Sequence, residues 1–207
     1  KGFTTNPSLM RKAGAKDYTK YSKEILNSTK KPVSCEVFAD NANEMIVQGF
    51  KISKWGKNVF VKIPVINSKG NFMGKVIKKL NHNSIKLNIT AVYTANQVKK
   101  ILTVINNKTK VIISIFAGRM ADVGKDPMPV FKKSLNMSKR FKNVEILWAS
   151  TREPYNYLQA KKLKCNIITV PPSIIEKIEK KGKTFQNLTK DTVKGFLLDS
   201  KKSKFKI

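Results

Sequence analysis

A lysine interrupts an apolar stretch of the chain, in the order Val61-Lys62-Ile63-Pro64. An ammonium group inside a buried strand is costly, whereas a desolvated neutral amine is a nucleophile that attacks carbonyl carbons. The iminium ion formed in this way draws electrons from the neighbouring carbon and permits a carbon–carbon bond to break or form. Lys62 is therefore a candidate for Schiff-base chemistry. The residues alone leave one alternative open, an exposed lysine on an edge strand.

Other polar residues recur two positions apart near the ends of apolar runs. Because side chains alternate along a strand, the two members of such a pair share a face. We expect these faces to form a polar pocket in which the Glu36 carboxylate handles protons, through a water shared with Thr90. Phe116 and Trp148 are expected in the pocket wall. The pairs are Ser34 and Glu36, Asn88 and Thr90, Ser114 and Phe116, and Trp148 and Ser150.

Two of the chain's four arginines, Arg119 and Arg152, follow the ends of two successive apolar runs. A guanidinium group binds phosphate oxygens through two parallel hydrogen bonds. Structural ion pairs are the alternative, but the chain has only 13 acidic residues to form them. The pattern therefore favours a phosphate-binding role for both arginines.

Short β-branched runs alternate with longer helical patterns along the whole chain. Strict alternation of this kind predicts parallel strands joined by crossover helices. No glycine-rich nucleotide-binding spacing follows any run, so we predict a (β/α)8 TIM barrel rather than a doubly wound sheet. The predicted strands are 33–38, 58–63, 85–90, 110–116, 144–149 and 166–170. The predicted helices are 18–28, 44–55, 74–82, 95–106, 129–141, 154–163 and 173–180.

The two ends of the chain complete this prediction. The opening segment, residues 2–7, resembles a short strand running into a loop, which gives seven strands where a closed barrel needs eight. We therefore expect the first strand of the barrel to be missing from this chain, which would hold strands 2 to 8. Residues of about 186–201 have helical spacing and predict an extra C-terminal helix. No linker divides residues 1–207, so one barrel domain is expected.

Composition narrows the class of protein. The formal net charge is +29, from 42 basic and 13 acidic residues. Lysines dominate and are spread along the sequence, which disfavours specific nucleic-acid recognition, since base readout relies on arginine. A basic polyanion-binding barrel remains the alternative function. No apolar run is long enough to span a membrane. Cys35 and Cys165 have no paired spacing, which predicts reduced thiols in the cytoplasm and no metal site.

Six segments, in this order, resemble the transaldolase and fructose 6-phosphate aldolase family. Each falls at a predicted strand end, and together they cover nearly the whole chain. The resemblance implies a (β/α)8 barrel without metal or cofactor that carries a dihydroxyacetone unit between sugar phosphates. The segments are Thr4-Thr5-Asn6-Pro7-Ser8-Leu9, Val33-Ser34-Cys35-Glu36-Val37, Val61-Lys62-Ile63-Pro64, Leu87-Asn88-Ile89-Thr90, Ser114-Ile115-Phe116-Ala117-Gly118-Arg119 and Ala149-Ser150-Thr151-Arg152.

The resemblance also implies a role for each matching residue. Lys62 matches the Schiff-base lysine, and Glu36 and Thr90 match the pair that holds the catalytic water. The remaining matches are to the substrate-binding positions: Asn6 and Asn88 for the dihydroxyacetone unit, Ser34, Ser114 and Phe116 for the pocket lining, and Arg119, Ser150 and Arg152 for the phosphate.

Glu36 and Phe116 are similar to the transaldolase branch, whereas the aldolase branch tends to carry Gln and Tyr there. We therefore expect group transfer, with free aldol cleavage as the alternative. The resemblance further implies a cytoplasmic enzyme of the pentose phosphate pathway. It also implies a ring-shaped homo-oligomer, a pentamer or decamer, in which the C-terminal helix crosses to a neighbour.

Overall fold

The computed structural model describes residues 2–179 and 182–204. Within this part of the chain seven strands form one curled, all-parallel sheet, in which neighbours in space are also neighbours in sequence. The α/β class with a parallel, TIM-barrel-like sheet is thereby confirmed. The strands are β1 Phe3–Thr4, β2 Val33–Glu36, β3 Val59–Pro64, β4 Leu87–Val92, β5 Val111–Phe116, β6 Val144–Ala149 and β7 Ile167–Ile168.

Helices connect the strands, and five of them begin at a residue whose side chain accepts a hydrogen bond from a free amide of the first turn. These capping residues are Asn6, Asp17, Asn41, Thr94 and Thr184. The helices are α1 Pro7–Lys12, α2 Tyr18–Ser28, α3 Ala42–Ser53, α4 Gly74–His82, α5 Ala95–Leu102, α6 Ala117–Ala121, α7 Met128–Ser138, α8 Tyr155–Lys162, α9 Pro172–Glu179 and α10 Phe185–Ser203.

The strand alternation creates two apolar layers. The larger layer lies between the sheet and the helices and contains Ile113, Ile146 and Phe131. The smaller one lies on the opposite face of the strands and consists of Phe60, Ile112, Leu147 and Ala149. This second layer is the inner face of the curl, and the polar site residues of β3 and β5 share its alternation.

The expected position of Trp148 in the pocket wall is wrong. Its side chain is fully buried in the larger layer, where its ring stacks on Phe131 of α7 with the centroids 4.4 Å apart. The physical reason is the period of two. Trp148 lies between Leu147 and Ala149, which both belong to the inner layer, so its side chain points to the helices.

The chain divides into two compact units, one up to Val170 and one from Pro171 onwards. The second unit contains α9 and α10. Helix α10 spans Phe185–Ser203, where the sequence predicted a helix at about 186–201. Helix α9 ends at Glu179, and the predicted helical residue Lys180 lies outside the described residues. The missing first strand and the single domain over residues 1–207 stay predictions.

Element boundaries differ from the sequence pattern in understandable places. Two short helices, α1 and α6, were not predicted, because five or six residues carry too little periodicity to recognise.

None of the helices in residues 2–179 and 182–204 combines the length and the apolar character needed to cross a bilayer.

Candidate active site

Lys62 lies near the C-terminal end of β3, whose neighbours in the parallel sheet are β2 and β4. Its Nζ atom donates a hydrogen bond of 3.1 Å to the carbonyl oxygen of Thr5 and lies 3.6 Å from Oε2 of Glu36. The side chain is only 11% exposed. Glu36 pairs with Lys62 in the parallel register of β2 and β3, which places the carboxylate beside the amine. The predicted alternative of an exposed edge-strand lysine is therefore wrong.

A buried chain of hydrogen bonds runs across three strands beside this pair. Ser114 Oγ donates to Asn88 Oδ1 at 2.7 Å, and Asn88 Nδ2 donates to Ser34 Oγ at 2.9 Å. Asn88 pairs with Lys62 in the register of β3 and β4. The two hydrogen bonds hold the Asn88 amide between the hydroxyl groups of Ser34 and Ser114. Three of the predicted substrate-binding residues are thus brought together next to Lys62.

Thr90 lies two residues further along β4 and is almost completely buried. Its Oγ1 atom has no hydrogen-bond partner among the residues that the structure describes. A buried hydroxyl without a partner costs about 1–3 kcal/mol. A β-bulge follows directly, with Ala91 in the left-handed region at φ 57°. Bulges re-aim side chains next to functional sites. This one interrupts the register of Thr90 with β5, while Thr90 stays paired with Pro64 of β3.

Tyr18 supports Glu36 and was not predicted from the sequence. Its hydroxyl donates to the backbone oxygen of Glu36 at 3.2 Å and accepts from the backbone nitrogen of Glu36 at 2.6 Å. Burial raises the pKa of Tyr18 to about 12, so the phenol stays protonated at neutral pH. A tyrosine at a helix start has no sequence signal that links it to a strand 18 residues away.

Asn6 follows β1 directly after Thr5, the residue that contacts Lys62. Its Oδ1 atom accepts a hydrogen bond of 2.8 Å from the backbone nitrogen of Leu9 and caps α1. The cap uses one lone pair of the amide oxygen, and Nδ2 remains as a donor for a substrate.

A second group of predicted residues lies at the ends of β5 and β6. Phe116 precedes α6, and the Arg119 guanidinium lies over the Phe116 ring, 5.6 Å from its centroid. Gly118 allows this helix to approach β6, because an added Cβ would lie 1.7 Å from the carbonyl oxygen of Ser150. Ser150 itself has φ 65°. A cleft of about 470 Å³ opens here, lined by Arg119, Met120, Tyr93, Thr94, Val123 and Lys125.

Arg152 is held by an acidic partner that the sequence did not suggest. Its Nη2 and Nε atoms donate to the Asp122 carboxylate at 2.7 and 3.1 Å. The Arg152 hydrogen bond lowers the pKa of Asp122, and Arg119 contributes to the same shift. Both side chains of the pair are about half exposed, at 48% and 47%. The scarcity of acids therefore did not prevent a structural ion pair at Arg152.

The predicted site residues thus form two groups at the C-terminal ends of the strands. One consists of Lys62, Glu36, Thr90 and the Ser34–Asn88–Ser114 network. The other contains Phe116, Arg119, Ser150 and Arg152. In residues 2–179 and 182–204, no three His, Cys, Asp or Glu side chains come together in a way that could hold a metal ion.

The fold and the buried lysine define the class: an α/β protein with a parallel, barrel-like sheet and an amine–carboxylate pair at the C-terminal ends of its strands. The chain belongs to the Transaldolase/Fructose-6-phosphate aldolase family, whose model matches residues 1–207. This confirms the resemblance seen in the sequence motifs. Membership of this family implies an enzyme of the aldolase or transferase type.

Relatives of nearly the same length support the assignment. The chain is 36% identical to a "Probable transaldolase" of Leptospira biflexa, over 97% of this chain and 88% of the relative. It is 34% identical to one of Thermoplasma volcanium, over 97% and 86%. A third, from a Thermoanaerobacter species, is 33% identical over 100% and 89%.

Among solved structures, the fold is similar to that of inosine 5' monophosphate dehydrogenase from Legionella pneumophila. The TM-score is 0.55 with 13% sequence identity, over 84% of this chain and 58% of that chain. At this identity the likeness concerns the fold alone.

The unpartnered hydroxyl of Thr90 leads to a stability prediction. Thr90→Val removes a buried hydroxyl that forms no hydrogen bond with the described protein groups, so the free energy of unfolding should change by no more than about 0.5 kcal/mol. Thr5→Val is the matched control, because Thr5 Oγ1 donates to the Ser34 carbonyl at 2.8 Å. That variant should lose about 0.5–1.5 kcal/mol. Urea denaturation measures both, and a larger loss for Thr90→Val than for Thr5→Val would contradict the prediction.

Proposed function

We propose that the protein transfers a dihydroxyacetone unit between sugar phosphates through a Schiff base on Lys62. The observation that carries this proposal is the position of the Lys62 amine, buried in the sheet, 3.1 Å from the Thr5 carbonyl and 3.6 Å from the Glu36 carboxylate. The lysine must lose a proton before it can attack a carbonyl carbon, and the Glu36 carboxylate is a proton acceptor within reach. We place the reaction in the cytoplasmic pentose phosphate pathway, in keeping with the two free cysteines.

The proposed reaction begins when the Lys62 amine adds to the ketone carbon of the donor. Loss of water gives an iminium ion. A base then takes the proton of the hydroxyl group on the carbon beyond the bond to be broken, and this bond cleaves. Its electron pair moves toward the iminium nitrogen to form an enamine, and an aldehyde leaves. The enamine carbon attacks the acceptor aldehyde, and hydrolysis releases the new ketose and the free amine.

Glu36 is the proposed base, acting through a water that it shares with Thr90. Its side chain is 22% exposed, so that a water molecule can reach it, and Tyr18 fixes its backbone on both sides. General base catalysis of this kind contributes roughly 10²–10⁴-fold to the rate. We favour transfer over free aldol cleavage because Glu36 and Phe116 match the transaldolase pattern.

The remaining residues of the first group are proposed to hold the dihydroxyacetone unit. Asn88 lies at the level of Lys62 and is oriented by Ser34 and Ser114, and Asn6 offers Nδ2. Such pre-oriented donors and acceptors lower the entropy cost of placing a substrate for attack. Phe116 contributes an apolar wall.

The substrate phosphate is proposed to bind Arg119, Ser150 and Arg152. Asp122 takes the Nε and Nη2 side of Arg152 and so leaves its Nη1 atom available for a phosphate oxygen. Arg119 is exposed beside the cleft of about 470 Å³. Charge-assisted hydrogen bonds from two guanidinium groups suit a phosphate dianion.

Trapping of the imine tests the nucleophile. We expect borohydride reduction in the presence of fructose 6-phosphate to add a dihydroxyacetone-sized mass to the peptide that contains Lys62. Lys62→Met should abolish this adduct. Lys86→Met is the matched control, because Lys86 is a half-buried lysine immediately before β4. The Lys86→Met variant should keep the adduct on Lys62. A folded wild-type protein without an adduct on Lys62 would overturn the proposal.

A comparison of two substrates tests the phosphate site. Arg152→Gln should raise KM for fructose 6-phosphate roughly tenfold or more, because a charge-assisted hydrogen bond is worth about 1.5–3 kcal/mol. KM for unphosphorylated fructose should not change. Arg140→Gln replaces an exposed arginine that precedes β6, at the opposite end of the strand from Arg152, and should leave both constants unchanged. An equal rise of KM for both sugars would show a general structural defect instead.

We further propose that the protein forms a ring-shaped homo-oligomer, a pentamer or decamer. Helix α10 supports this, because it presents Phe185, Phe196 and Leu198 to solvent, with Phe185 89% and Phe196 69% exposed. Exposed apolar patches of this kind mark interaction surfaces. Light scattering should give an oligomer mass, and replacing Phe196 by Glu should reduce it. A monomeric wild-type protein would contradict the proposal.

A further inference from the structure

The basic residues of the chain are dispersed in the sequence but collect at one end of the sheet. The parallel strands β2 to β7 all enter from the same side, so the segments before them lie together. We call these segments the N-terminal face: residues 28–33, 51–59, 78–87, 99–111, 138–144 and 161–167. They contain 17 lysines, one arginine and no aspartate or glutamate.

A lysine stands immediately before every one of these strands or up to three residues earlier. All but Lys86 are exposed to solvent. Among the residues that the structure describes, none of the basic side chains of the N-terminal face forms an ion pair with a carboxylate. The six strand-entry lysines are Lys31, Lys57, Lys86, Lys110, Lys142 and Lys164.

The opposite end of the sheet has a different charge balance. Seven of the 13 acidic residues occur there, at the last residue of a strand or between a strand and the first turn of the next long helix. The excess of basic over acidic residues is therefore larger at the end that faces away from Lys62. These acidic residues are Asp17, Glu36, Asp40, Glu44, Asp122, Asp126 and Glu153.

Helix stability explains only a part of this pattern. Lysines in the last turn of a helix are favoured by the helix dipole, which applies to pairs such as Lys99 and Lys100. The strand-entry lysines lie outside the helices. Lys86 and Lys110 precede paired residues of β4 and β5, and burial together with the charge of Lys110 lowers the pKa of Lys86. Like charges so placed are unfavourable in the free protein, and a bound anion would relieve them.

Asparagines hold neighbouring segments of the N-terminal face in fixed positions. Asn58 Nδ2 donates to the carbonyl oxygens of Thr29 and Lys31 at 2.7 and 3.0 Å. Asn143 Nδ2 donates to the carbonyl oxygen of Asn106 at 2.9 Å, and Asn106 N donates to Asn81 Oδ1 at 2.7 Å. The lysines are therefore presented on loops that are already ordered, which lowers the entropy cost of binding.

We propose that the N-terminal face binds the phosphate backbone of duplex nucleic acid without sequence preference. Lysine ammonium groups are point charges that neutralise phosphates but read no bases, and backbone binding needs no more than that. None of the large exposed apolar or aromatic side chains of the described residues lies in the six segments. Single-strand binding relies on aromatic stacking, and interfacial membrane helices insert apolar side chains. The duplex backbone is the polyanion that remains.

Fluorescence anisotropy with a labelled duplex of mixed sequence tests the proposal on the full chain. We expect a Kd of about 10⁻⁶ M or tighter at about 50 mM salt, weakening steeply towards about 200 mM. The variant of the face carries Lys31→Gln, Lys57→Gln, Lys110→Gln and Lys142→Gln. It should bind roughly tenfold or more weakly, with a log–log salt slope shallower by up to about 3.6.

A matched control removes the same charge elsewhere. It carries Lys20→Gln, Lys69→Gln, Lys75→Gln and Lys132→Gln, all of them exposed lysines outside the face, and should keep nearly wild-type affinity. Arginine at the four face positions should also keep it, which separates loss of charge from loss of structure. Equal weakening in both glutamine variants would overturn the proposal, because net charge alone would then suffice. Absent duplex binding, or selective binding to phosphatidylserine vesicles, would overturn it too.

The proposal does not depend on the Schiff-base reaction. Imine trapping at Lys62 should be unchanged in the glutamine variant of the face. The outcome of the duplex-binding experiment therefore does not decide the Schiff-base reaction, and the trapping experiment does not decide duplex binding.

Discussion

The structure is organised around one buried cation. Lys62 sits inside a parallel sheet, where removing an ammonium group from water costs several kcal/mol unless it is paired. The pairing depends on strand register, since Glu36 stands opposite Lys62 on β2 and the Thr5 carbonyl follows β1. A shift of one residue in β2 would turn the Glu36 side chain to the other face. The order and alignment of the first three strands are therefore conditions for this site.

The surroundings of Lys62 divide into satisfied and unsatisfied groups. Ser34, Asn88 and Ser114 are joined by hydrogen bonds, and the Tyr18 hydroxyl bonds to the backbone nitrogen and oxygen of Glu36. Thr90 stands apart, with a buried hydroxyl that has no partner among the described residues. Such a hydroxyl remains available to a water molecule or a ligand. The contrast between a rigid polar network and one unpaired hydroxyl is what a prepared reaction site would present.

Parallel topology also separates the chain's charges. All strands enter from one side and leave from the other, so the two ends of the sheet receive two different sets of loops. The exit loops carry acids beside a few basic residues, among them the Asp122–Arg152 pair. All charged residues of the six segments of the N-terminal face are basic. One topological rule thus gives the molecule a polar site at one end and a strongly cationic surface at the other.

Local periodicity was enough to predict which polar side chains lie together around Lys62. The alternation within β2, β3 and β4 identified Glu36, Lys62 and Asn88, because side-chain direction in a strand follows from counting residues. The sequence motifs also indicated the family, and the alternation of strand and helix indicated the parallel sheet. The same counting would have turned Trp148 toward the helices, had Leu147 and Ala149 been assigned to the inner face.

Contacts between distant segments could be decided only by the tertiary structure. Tyr18 reaches Glu36, Asp122 holds Arg152, and the strand-entry lysines gather on one face. None of these contacts has a local sequence pattern, because each depends on which loops the folded chain brings together. The sequence determined the faces of the strands, and the packing of the strands determined which charges meet.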